Sequence, residues 1–347
     1  MDYLLQHNHI RRLLRRLLQG SLHYLFQRLT AALFLVLTWK GAVVLVLMLI
    51  IAGNRMNAQS TSSSSYRQEI EQWRAKYEER LKAEDGWLAL AGLYWLKEGD
   101  NWVGTIPSST IRLHKGPATL GNFHLENGVV RATFVTEIPV RVVRSDSAST
   151  PTDKPSEAAA NVLRSDSSVS GSDVVRLGDI SIVVIKRADR YGLRVRDSEQ
   201  PERKNFRGCV WHRIDEQWRV RGKFTPYPTP KMLPIVTVIG DSEPSPNPGY
   251  VTFTLAGKEY RLEAQDAGKR FFFNFKDASN KRTTYPAGRF LYADKPNADG
   301  TVWLDFNKAY SPPCAFTQYA TRPLAPRENT LNASIDAGEK YGGSKHK

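Results

Sequence analysis

The stretch Val251-Thr252-Phe253-Thr254-Leu255, Ala256-Gly257-Lys258-Glu259, Tyr260-Arg261-Leu262-Glu263-Ala264 decides how this chain is read. Apolar and polar residues alternate on both sides of a short turn containing Gly257. Period two puts successive side chains on opposite faces of a strand, and two such runs around a Gly-containing turn signal a β-hairpin. A helix would need a period of 3.6.

The pattern extends in both directions. Arg270–Phe275, Gly288–Tyr292 and Val302–Phe306 are expected strands on the C-terminal side. On the N-terminal side the expected strands are Ile235–Ile239, Trp218–Phe224, Cys209–Trp211, Gly192–Val195, Ile180–Ile185, Val140–Val143 and Gly128–Phe134. So many short strands imply a mainly β fold, a β-sandwich or a barrel-like antiparallel sheet. One amphipathic helix leads it, with Ile70, Trp73, Tyr77 and Leu81 at helical spacing, a Ser65/Gln68 capping pattern and Gly86 as its stop. A short second helix is expected near Asn332–Glu339. Residues 144–173, rich in Ser, Asp, Pro, Thr and Ala, are expected to form a mobile insertion without a core role.

The 347 residues hold 41% hydrophobic and 24% charged side chains, a globular balance, and a net charge of +14. Residues 1–58 carry +6 of that charge and begin with a basic extension, 1–28, with Arg11, Arg12, Arg15, Arg16 and Arg28. Residues 29–58 then read as a secretory signal peptide or a leading membrane-anchor helix. Lys40 is the one charge between Leu29 and Gly53, and Gly41–Ala52 has the length of a signal's apolar block. Cleavage near Ala58 and a retained anchor through 29–53 are both open. Either way the bulk of the chain is expected to be exported, periplasmic or extracellular. A linker, 59–65, leads into a single β-rich domain at 66–342, and 343–347 form a tail. An exported chain without a nucleic-acid motif is not expected to bind nucleic acid. No phosphate loop, dinucleotide fingerprint or nucleophile elbow is present, and no cofactor or metal site is expected. Cys209 and Cys314 are too few for a disulfide scaffold.

Two constellations carry polar chemistry. Arg194 and Arg196 share one strand face while Leu193 and Val195 share the other, so the two arginines can meet an anionic small molecule. In the last hairpin, Tyr285, Arg289, Asp305 and Asn307 are candidate ligand-binding residues. Joining the two strands by a five-residue loop sets Arg289 across from Asp305. Asp305 or Asp197 is then a candidate base, and Arg289 a candidate stabiliser of developing negative charge, for a hydrolase-like reaction.

Ordered segments also resemble a known bacterial family, domain of unknown function 1684. They are Trp87–Leu96 with Glu98-Gly-Asp-Asn101, Lys186–Asp197, Phe275-Lys-Asp277, Thr284–Phe290, Asp305-Phe-Asn307 with Tyr310–Ala315, Pro323–Pro326 with Asn329-Thr-Leu331, and Ala337-Gly-Glu339. The resemblance spans about 66–342 and implies a mostly β, often exported domain without an assigned activity. The family commonly has Cys where this chain has Arg322, which leaves Cys314 without that partner. Three functions follow as expectations: an exported ligand-binding domain, a hydrolase-like enzyme, or a structural module of the cell envelope.

Overall fold

The computed structural model describes residues 64–144, 161–237, 240, 242–321 and 323–342. The basic extension, the signal or anchor segment and the tail lie outside the described residues. Among the described residues no helix is long and apolar enough to cross a membrane.

Helix α1 runs over 64–82. Ile70, Tyr77 and Leu81 are buried on it, while Glu71, Glu79 and Arg80 stay exposed, as the 3.6-residue spacing requires. Trp73 and Tyr77 stack at 5.6 Å, and both pack against Trp211 and Tyr310. Glu78 fixes the same face by accepting from Trp211 Nε1 at 2.7 Å and from the Cys209 N–H at 3.1 Å.

The first strands are β1 (Leu90–Trp95), β2 (Trp102–Gly104), β3 (Ile111–Arg112), β4 (Gly121–Glu126), β5 (Val129–Phe134), β6 (Arg141–Val143), β7 (Asn161–Leu163), β8 (Val174–Leu177), β9 (Ile180–Arg187) and β10 (Arg190–Asp197). They form two five-stranded sheets, ordered β1-β10-β9-β8-β6 and β3-β2-β4-β5-β7. One core joins them: Phe123, Val130 and Leu163 from one sheet meet Ile182, Val184, Leu193 and Val195 from the other. The expected insertion needs correction here. Leu163 belongs to that core, and Asp173, with no exposure, binds Arg164 at 2.7 Å and Arg144 at 3.1 Å. Residues 145–160 lie outside the described residues.

The remaining strands are β11 (Val210–Trp211), β12 (Arg219–Val236), β13 (Ser242–Leu255), β14 (Lys258–Ala267), β15 (Arg270–Phe275), β16 (Arg289–Asp294), β17 (Thr301–Asp305) and β18 (Glu339–Lys340). Six of them make an antiparallel sheet ordered β16-β15-β14-β13-β12-β17, and β11 pairs with β18. The opening hairpin is β13–β14. Its register runs to Leu255↔Lys258, so the turn is only Ala256-Gly257, both at positive φ as a type I′ turn demands. Val251, Phe253, Leu262 and Ala264 face a second core with Phe271, Phe273, Phe275 and Phe306.

The sheet is nearly a barrel, because β16 and β17, its two edges, are consecutive in the chain. They are not the ladder expected from sequence: β16 pairs with β15 and β17 with β12. Two further expectations change. β12 is one strand through Pro226, Pro228, Pro230 and Pro234, where two strands were expected. Prolines at alternate positions omit their N–H on one edge. β17 covers only Arg219–Lys223, which leaves room for them beyond it. Residues 332–338 are not helical, because the carbonyls of Ile335 and Ala337 accept from Arg289 and that of Ala333 from the Ala278 N–H.

Candidate functional site

A cleft of about 850 Å³ opens where α1, β10, β16 and β17 come together. Trp73, Tyr77 and Arg80 reach it from α1, Trp87 from the segment after it, Arg194 and Arg196 from β10, Tyr292 from β16, and Trp303 and Asp305 from β17. Its cationic groups (Arg80, Arg194, Arg196, Arg219, Arg270, Lys295 and Lys308) outnumber Glu69, Asp85, Asp294 and Asp305.

Several of these cations are already engaged. Lys308 binds Glu69 at 2.6 Å, and Lys295 binds Asp266 at 2.7 Å. Arg270 lies over Tyr292 at 4.4 Å and Arg219 over Trp303 at 5.1 Å.

Arg194 differs from them. It is 6% exposed, and its guanidinium lies 5.4 Å from the Trp87 ring centroid. Asp166 Oδ2 faces Nη1 at 3.8 Å. Nε and Nη2 are buried with no hydrogen-bond partner among the described residues, and Arg196 Nε is in the same state. Burial, with Arg187 and Arg196 close by, pulls the Arg194 pKa down to about 10 against the opposing pull of Asp166. Burial also lowers Arg196, with Asp85 opposing and Arg176 adding. A buried cation with unmade hydrogen bonds is costly, and an incoming anion relieves that cost.

The alternation reading of β10 therefore brings Arg194 and Arg196 into one cleft, with Leu193 and Val195 in the core behind them. The other candidates separate. Asp197 has the parity of the core-side residues. Burial works to raise its pKa, but hydrogen bonds from His114 (3.1 Å) and the Glu199 N–H (2.9 Å), with Lys115 nearby, hold it below the ordinary range.

Arg289 and Asp305 are not partners. Arg289 has no exposure and binds Asp277 Oδ2 at 2.7 Å, while Asp305 stands opposite Arg219 in the β12–β17 register. The hairpin assumption failed because closure of the sheet sends β16 and β17 to different neighbours. Gly288, at φ +105 with only 2.6 Å between an added Cβ and the Phe275 carbonyl oxygen, brings Arg289 in against β15. Asp305 does line the cleft, and its carboxylate caps the turn Phe306–Lys308 by accepting from the Asn307 N–H at 3.2 Å.

Asn307 is fully buried and stitches the chain internally, accepting from the Asp215 N–H at 3.1 Å and donating to its carbonyl at 2.8 Å. Tyr285 does not line the cleft. Its hydroxyl lies 3.2 Å from Cys314 Sγ, and its ring meets Tyr341 edge-on. Both cysteines are free thiols.

Glu339 was missed as a polar centre. It is 4% exposed, and its Oε2 accepts from the Ser311 N–H at 2.8 Å and the Tyr77 hydroxyl at 3.2 Å. Burial raises its pKa to about 7, although those hydrogen bonds oppose the shift. Tyr77, which lines the cleft, is thus held from behind by an acid. Strand alternation could not have found it, because β18 begins only at Glu339 and Gly338 before it sits at φ +75.

Residues 204–340 match the family described as "Protein of unknown function (DUF1684)". No curated protein matches the chain. Among solved structures, it is similar to the solution NMR structure of an uncharacterized protein from gene locus rrnAC0354 of Haloarcula marismortui. The identity is 29% over 40% of this chain and 80% of that one, with a TM-score of 0.35.

Proposed function

We propose that this chain is a ligand-binding domain whose cleft takes a small organic anion. The observation that carries the reading is Arg194: a 6% exposed guanidinium, lining an open cleft, with two donors left without partners among the described residues. Arg289, by contrast, places both terminal nitrogens, on Asp277 and on the Ile335 and Ala337 carbonyls, and leaves only Nε without a partner among the described residues, while Asn307 is matched by Asp215. A structural module would match Arg194 in the same way, because buried donors left unmade are destabilising. A volume of about 850 Å³ is that of a cleft for a drug-sized ligand. The aromatic side chains of Trp73, Trp87, Tyr292 and Trp303 supply apolar contact for its body. The hydrolase-like alternative loses its support with the separation of Arg289 from Asp305.

Native mass spectrometry of the purified full-length protein tests the reading. A retained anionic compound is expected in the wild type and absent from Arg194→Met. A cleft that retains nothing, and a protein that gives no heat with any organic anion in calorimetry, contradict it. Export is part of the proposal and rests on the composition of residues 29–58. N-terminal sequencing of the protein from membrane and soluble fractions distinguishes a cleaved signal from an anchor.

A further inference from the structure

The donors of Arg194 without a partner among the described residues lie on one edge of its guanidinium. Nε–H and Nη2–H project to the same side, as the fork that binds a carboxylate or phosphate through two parallel hydrogen bonds. These are the two Arg194 atoms buried without a partner among the described residues. Nη1 instead faces Asp166 at 3.8 Å, close enough to offset charge and too far for a hydrogen bond. The described protein groups therefore partly neutralise Arg194 and give its fork no hydrogen bond. Trp87 flanks the guanidinium at 5.4 Å and restricts its orientation. Arg196 follows two residues along the same strand face, about 7 Å away, with its own Nε buried and without a partner among the described residues.

We infer that the ligand ends in an oxyanion, a carboxylate or a phosphoryl group, seated side-on against Nε and Nη2 of Arg194, with Arg196 Nε as the next donor. This rests on the binding reading above and adds a geometry to it: two oxygens spaced to meet one guanidinium edge, not negative charge alone. A phosphoryl group presents a third oxygen and can also engage Arg196.

Isothermal titration of the full-length protein with benzoate, phenyl phosphate and iodide tests the inference. Arg194→Lys retains the charge and removes the fork. The expected result is binding of benzoate or phenyl phosphate, weakened at least tenfold by Arg194→Lys while iodide remains a poor competitor. Loss of phenyl phosphate with benzoate unchanged in Arg196→Lys identifies the phosphoryl group as the natural end group; equal effects on both identify the carboxylate. Affinity within twofold of wild type in Arg194→Lys, or iodide competing as well as benzoate, overturns the fork and leaves a simple anion site. No binding of any probe by folded wild type removes the binding reading and this inference with it. The benzoate–iodide comparison needs no variant, so the test survives a lysine substitution that fails to fold.

Discussion

Arg194 and Arg289 are both strand arginines nearly excluded from water, and they differ in what their donors meet. Arg289 reaches Asp277 at 2.7 Å, the Ile335 carbonyl at 2.9 Å and the Ala337 carbonyl. It is an internal strut, and Arg289→Met strands a buried carboxylate. The expected loss is about 3–5 kcal/mol, read as a lower denaturation midpoint; an unchanged midpoint refutes the role. Asp305 is a cleft carboxylate that caps a turn. Asn caps about as well as Asp, so Asp305→Asn should cost less than about 1 kcal/mol. Removing its negative charge should tighten benzoate binding, and calorimetry showing weaker binding would assign Asp305 a direct ligand contact instead. The shared face of Arg194 and Arg196 was legible because strand alternation is local. The partner of Arg289 was not, since Asp277 reaches it through the β15–β16 register, which sequence does not state.

At the scale of elements, turns and alternation were the readable part. The β13–β14 hairpin follows from Gly257 and its flanking pattern, and the structure only tightens its turn to two residues. Ala256 occupies φ +48 there, a conformation Asn accepts more readily. Ala256→Asn should therefore recover part of the roughly 1–2 kcal/mol that the left-handed region costs a residue with a Cβ, and a lowered melting temperature would contradict the turn assignment. What sequence hid was the junction of α1 with β18, where Tyr77 meets Glu339 across 262 positions. Burial lifts the Glu339 carboxyl from 4.5 to about 7, so folding favours its protonated form. That contribution is whole below pH 4.5 and is lost as pH climbs through about 7. Glu339→Gln should flatten this loss, removing a fall of about 3 kcal/mol between those limits. Denaturation curves of equal pH dependence in both proteins would show that the carboxyl is not strained by burial.

Among the described residues the mainly β reading holds, and the strands enclose two large cores: one between the two five-stranded sheets, one inside the near-barrel. Sequence gives strands but not their closure, and closure is what separates β16 from β17. It also makes the cleft, since α1, β10 and β17 are far apart in the chain and only their assembly gathers Trp73, Arg194 and Asp305 around one space. Residues from β10 and β17 entered the sequence reading as two unrelated constellations. The most direct measurement is the side-chain Nε–Hε resonance of Arg194, assigned by its disappearance in Arg194→Lys and followed as phenyl phosphate is added to the full-length protein. The account predicts that this resonance moves downfield and saturates with the binding isotherm. A resonance that stays fixed while those of exposed arginines shift would place the anion elsewhere and end the case for the cleft.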